Sequence, residues 1–207
     1  MGAVSSVTIA NRALQRLGAT RISSLTQNFP NARSINNAYD TTRRRLLRLY
    51  TWAFAKSRAS LPMASTQTVF DQLNMFPLPT DFIRLYRDPG YSASVQSRRD
   101  WEIEEGNIIT TDGAPLNIRY IADITDESKF DPLFVEAFAC LLAYECCEEI
   151  TGSTEKRQLL SADMKEIIRQ ARFVNSIERN PDQPVEDDWL LAMQSYTAGS
   201  DITGQAY

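Results

Sequence analysis

The run DPLFVEAFACLLAYECCEEITG, residues 131 to 152, decides how this chain folds. Asp131 ahead of Pro132 is a helix start with a mechanism. A short carboxylate takes up first-turn N–H groups, and proline lacks an N–H where the first turn has no use for one. Thr151 and Gly152 mark the stop. Between them Leu133, Phe134, Val135, Phe138, Leu141, Leu142, Tyr144 and Cys146 leave little polar face. The spacing therefore predicts a helix to about Ile150 that other elements surround, the central piece of the core.

Working outward, a further helix is predicted from about Ser153 to Ile177, with Leu160, Met164, Ile167, Ile168, Ala171 and Val174 recurring at helical spacing. Near the start of the chain Ser6 can cap a helix that carries Val7, Ala10, Leu14 and Leu17 on one face and stops at Gly18. A long basic helix should follow Pro30 and run to about Ala59, its apolar positions being Ile35, Ala38, Leu46, Leu49 and Ala53. From Leu61 the punctuation changes. Pro62, Pro77, Pro79, Pro89, Gly90, Gly106, Gly113 and Pro115 cut the chain into short segments that read as strands. The clearest pair flanks Glu105-Gly106-Asn107, with Trp101 and Ile103 before it and Ile108 and Ile109 after it; Leu116, Ile118, Tyr120 and Ile124 follow. The expected class is α+β: a bundle of about four helices from residues 1–60 and 129–177, an antiparallel β-region inserted at 61–128, and an extended C-terminal arm at 178–207.

At 207 residues, 43% of them hydrophobic, the chain can bury the core of one domain or two small ones. It has no apolar run of the roughly 18 residues that a membrane span needs, and MGAVSS does not open a signal peptide. A soluble protein with no membrane partner is expected. Gly2 and Ser6 match the short N-myristoylation pattern, which arises readily by chance. Three cysteines, two of them adjacent in the apolar helix, do not make a disulfide framework and fit a reducing compartment.

Charge is sharply divided along the chain. Residues 1–60 hold ten basic residues against the single acid Asp40, whereas residues 178–207 hold six acids and one arginine. Three readings of the basic segment stand side by side: a phosphate-binding surface made by Arg33, Arg43, Arg44, Arg45, Arg48, Lys56 and Arg58; pairing with the acidic remainder, within the subunit or on a neighbour; or a solvated helix face. Contact between unlike patches on neighbouring copies generates a ring when its rotation closes.

Catalytic patterns are sparse. The chain contains no histidine, which removes the commonest general base and zinc ligand. No glycine-rich phosphate loop of either common spacing occurs. Cys146 and Cys147 read as buried, inert thiols. Glu102, Glu104 and Glu105 near a hairpin tip could supply the carboxylate pair of a glycoside hydrolase, but strand periodicity alone puts Glu102 and Glu104 on one face. Glu145, Glu148 and Glu149 share one helical face near the helix end and read as an acidic strip matched to arginines. No enzyme activity, cofactor or metal is expected.

Four pieces of sequence, taken in order, carry a resemblance. They are the helix end Trp52-Ala53-Phe54-Ala55, the segment Leu78-Pro79-Thr80-Asp81-Phe82-Ile83-Arg84, the hairpin Trp101-x-Ile103, and the junction from Tyr120-Ile121-x-Asp123-x-Thr125 to Phe130-Asp131-Pro132-x-Phe134. Over about residues 5 to 177 the chain resembles the tail tubular protein A family, the head-to-tail adaptors of short-tailed bacteriophages. The resemblance implies a structural protein of the virion, assembled in the bacterial cytoplasm as a dodecameric ring between the portal protein and the tail nozzle, tail tubular protein B. Double-stranded DNA would pass through its lumen during genome ejection without specific binding. Interface charges are expected at Arg43, Arg44, Arg45, Arg48, Glu145, Glu148 and Glu149. Alternatives are a DNA-binding module using the basic helix and a carboxylate-dependent cell-wall hydrolase of the tail.

The last thirty residues stand apart. Pro181, Pro184 and the acids Asp182, Glu186, Asp187 and Asp188 offer no apolar face to offset the entropy of ordering. Trp189, Leu190, Leu191, Met193 and Tyr196 form a cluster too small to fold alone, of the residue types that interfaces concentrate. They are expected to anchor the arm in a groove on the portal or on an adjacent subunit, the alternative being that the arm folds back on its own bundle.

Overall fold

The computed structural model describes residues 4–65, 68, 73–86 and 101–177. In chain order these form α1 (Ser6–Leu17), α2 (Pro30–Leu49), β1 (Lys56–Leu61), β2 (Asn74–Pro77), β3 (Phe82–Leu85), β4 (Trp101–Glu104), β5 (Asn107–Thr110), β6 (Leu116–Ala122), α3 (Pro132–Thr151) and α4 (Thr154–Ile177). The class is α+β. Two antiparallel three-stranded sheets, ordered β1-β6-β3 and β2-β5-β4, fall in sequence between the helix pairs.

Helix α3 begins and ends as its sequence dictates. The Asp131 carboxylate accepts N–H bonds from Leu133 at 2.8 Å and Phe134 at 3.3 Å, and Gly152 closes the helix in the left-handed conformation at φ +64°. Eleven of its twenty residues are buried, on all sides, because α1, α2 and α4 each pack against it. Phe134 is the hub of an aromatic cluster, with ring centroids 4.8 Å from Phe130, 4.9 Å from Phe54, 5.0 Å from Trp52 and 5.9 Å from Phe138.

Three boundaries differ from the sequence reading. The cap of α1 is Ser5, whose hydroxyl accepts from the Thr8 N–H at 3.2 Å, and Ser6 is the first helical residue. Ser153 stands just outside α4 and caps it, accepting from the Lys156 N–H. The larger correction concerns α2, which stops at Leu49 rather than near Ala59. Tyr50 is extended, the Trp52 indole N–H donates to the Leu46 carbonyl in the last turn, and a 3-10 turn at Ala53–Ala55 leads into β1. All six residues of β1 are then in register with β6, from Lys56 opposite Ile121 to Leu61 opposite Leu116. Cross-strand pairing outweighs the helical spacing of Ala53 and its neighbours.

Strand β6 joins two cores through its two-residue period. Leu116, Ile118, Tyr120 and Ala122 pack with Leu61, Phe76 and Ile108 between the sheets, whereas Ile121 points into the helical core. The β4–β5 hairpin closes through Glu105 at φ +46° and Gly106 at φ +78°, consecutive left-handed residues that match the twist of a two-residue hairpin.

Candidate interaction site

The C-terminal half of α2 puts four arginines, Arg43, Arg44, Arg45 and Arg48, within two turns, and each reaches a partner within the chain. The Arg43 side chain is only 6% exposed; its guanidinium lies 3.1 Å from Asp123 and 3.4 Å from Asp40 and donates to the Ile124 carbonyl at 3.2 Å. Arg44 meets the other oxygen of Asp123 at 3.3 Å. Asp123 is set just past the end of β6, where its N–H donates to the Asp81 carbonyl at 2.7 Å. Its Oδ1 is buried and makes no well-aligned hydrogen bond, so its tie to Arg43 is chiefly one of charge. Arg45 pairs with Glu145 of α3, and Arg48 donates to the Ile83 carbonyl at 2.9 Å.

The acidic strip is engaged likewise. Glu145 takes Arg45, Glu148 takes Arg157 of α4 at 2.8 Å, and Glu149 accepts from the Ser34 hydroxyl at 2.6 Å. All seven residues singled out as interface charges thus bond inside the subunit, five of them in ion pairs, Arg48 through a backbone carbonyl and Glu149 through a serine hydroxyl. Arg43 in particular is a buried ion-pair residue of the subunit itself. Arg44 and Arg45 stay more than half exposed, and Arg48 is exposed as well. Beside them Arg84 donates to the Thr51 hydroxyl at 2.8 Å, and burial, with the neighbouring Arg48 charge, pushes its guanidinium below the ordinary arginine value.

Cys140, Cys146 and Cys147 are free and buried, and burial pushes the Cys140 and Cys146 thiols up, away from the reactive thiolate. Glu102 and Glu104 are exposed on β4, an edge strand. Among the described residues no cluster of acidic or sulfur side chains has metal-binding geometry, and no helix is long and apolar enough to cross a membrane.

Periodicity does not reveal the exposed apolar side chains. Leu49 on α2, Ile103 on β4, and Leu159 and Phe173 on α4 all face outward, and Val174, which spacing assigns to the buried face, is 41% exposed. Val174 borders a cavity of about 240 Å³ between the Trp52–Phe54 turn, the start of α3 and the last turns of α4. The anchor residues Trp189, Leu190, Leu191, Met193 and Tyr196 lie outside the described residues. Comparison with protein-family models and with curated proteins finds no match to this chain.

Proposed function

We propose that this chain is a head-to-tail adaptor of a short-tailed bacteriophage. In this reading it is a helical bundle with a β-region inserted between α2 and α3 and an arm after residue 177. Copies form a dodecameric ring between portal and tail nozzle, in the virion's head–tail junction, and DNA passes through the ring on ejection. One observation carries the reading beyond the sequence resemblance. Arg43, Arg44 and Arg45 are paired within the subunit with Asp123 and Glu145, and Arg48 with a backbone carbonyl, while Leu49, Leu159 and Phe173 stand out on the helices. Arginines already paired with carboxylates release few counterions from a duplex, so the cluster suits a channel component that must not grip phosphates. Exposed apolar side chains suit contact with neighbouring subunits.

In this reading the exposed arginines Arg44, Arg45 and Arg48 also lie at a subunit contact. Screening weakens exposed pairs, so rings should be salt-sensitive. A chain with both Arg44→Glu and Arg48→Glu should form at least several-fold fewer rings, counted by electron microscopy, with its far-UV circular dichroism unchanged. Rings in undiminished number would remove the basic helix from the interface. Tight, salt-dependent binding of random duplex by the unaltered protein would favour a DNA-binding module instead.

A further inference from the structure

We infer that the groove beside Val174 receives the Trp189–Met193 segment of a neighbouring copy of this chain. The inference rests on the ring reading and names a contact that would hold the ring together. The groove floor is apolar, made by Trp52, Phe54, Leu133 and Ala171, and about 240 Å³ admits one large side chain such as an indole. Trp52 and Ala171 are almost fully buried and fix the floor, whereas Val174 at 41% exposed forms an open wall. Lys129, itself 64% exposed, stands at the rim, and the acidic triplet Glu186, Asp187 and Asp188 immediately precedes Trp189. The other rim charge, Asp131, is held by the first N–H groups of α3.

Linker length is enough to reach a neighbouring copy. Val174 lies three residues before the end of α4, about 4.5 Å along the helix axis. Eleven residues, 178 to 188, separate that end from Trp189, and they include Pro181, Pro184 and five acids. Eleven residues span at most about 36 Å. A linker of that reach can serve a groove on a neighbouring copy, and in a ring of copies such an exchange joins each subunit to the next. A body of about 177 residues has a radius of gyration of about 16 Å, so corresponding points on touching copies lie on the order of 40 Å apart. That spacing is within reach of the linker and the segment it carries.

The test uses the full-length chain carrying Val174→Cys and Leu190→Cys, assembled on portal particles of the same virus and then oxidised. The native cysteines are buried and leave a low background. A ladder of covalent multimers on a non-reducing denaturing gel is expected, absent from either single variant. A disulfide closed within one chain, or no disulfide in rings seen by microscopy, would overturn the inference and leave the adaptor reading standing. If the unsubstituted chain forms no rings, both fall together. As a second measurement, full-length Val174→Lys should raise the concentration needed for half-assembly about tenfold with the subunit's circular dichroism unchanged. An unaltered midpoint would also overturn the inference.

Discussion

Replacing Phe134 by Ala should cost about 4 kcal/mol of stability, the range seen when a buried phenylalanine is cut to a methyl group. Phe134 is fully buried and its ring touches four others, from α3, the Trp52–Phe54 turn and the Phe130 junction. Neighbours held on three separate pieces of chain cannot all close in, so most of the cavity would persist. Aromatic pairs arranged edge to face add to the loss from area alone. In a chain of this size the midpoint of thermal unfolding should fall by about 10 °C. Urea unfolding with an unchanged slope is the cleaner measurement. A loss below about 1.5 kcal/mol would mean that the junction between the β-region and the helices is not organised around this ring.

The second large effect is expected at Arg43. Arg43→Met should destabilise the subunit by about 3 kcal/mol, because removing one partner of a buried ion pair strands the other. Asp123 is 19% exposed and would keep only Arg44, which is 59% exposed, and the Ile124 carbonyl would lose its donor. Arg45→Met is the control. That side chain is 53% exposed in its pair with Glu145, and surface pairs contribute less than about 1 kcal/mol. The contrast separates two meanings of one basic run. If Arg43→Met left stability unchanged but weakened binding to random duplex, the run would be a phosphate surface and not a structural one.

What could be read in the sequence depended on how local the deciding interactions were. Helix α3 was legible because its cap, its proline and its closing glycine lie within the segment, and because an apolar face on every side has one physical explanation. The end of α2 was not, because residues 52 to 55 keep a helical spacing while the choice is made by β6, some sixty residues on. Charge segregation was visible; its destination was not. Arg43 finds Ile124 at a separation of 81 residues and Arg45 finds Glu145 at 100. Val174 shows a further limit. Spacing tells which face of α4 is apolar, but not whether anything in the same subunit covers its last turns. The groove at that site draws on Trp52 and Phe54, which the sequence presents only as anchors of a helix end.

The adaptor reading meets its most direct test in electron microscopy of the purified chain mixed with portal assemblies from the same virus. The account predicts dodecameric rings seated on one end of the portal, with an open central channel and no added nucleic acid. Portal particles that stay bare at concentrations that saturate other partners of this size, with the chain remaining monomeric beside them, would contradict it.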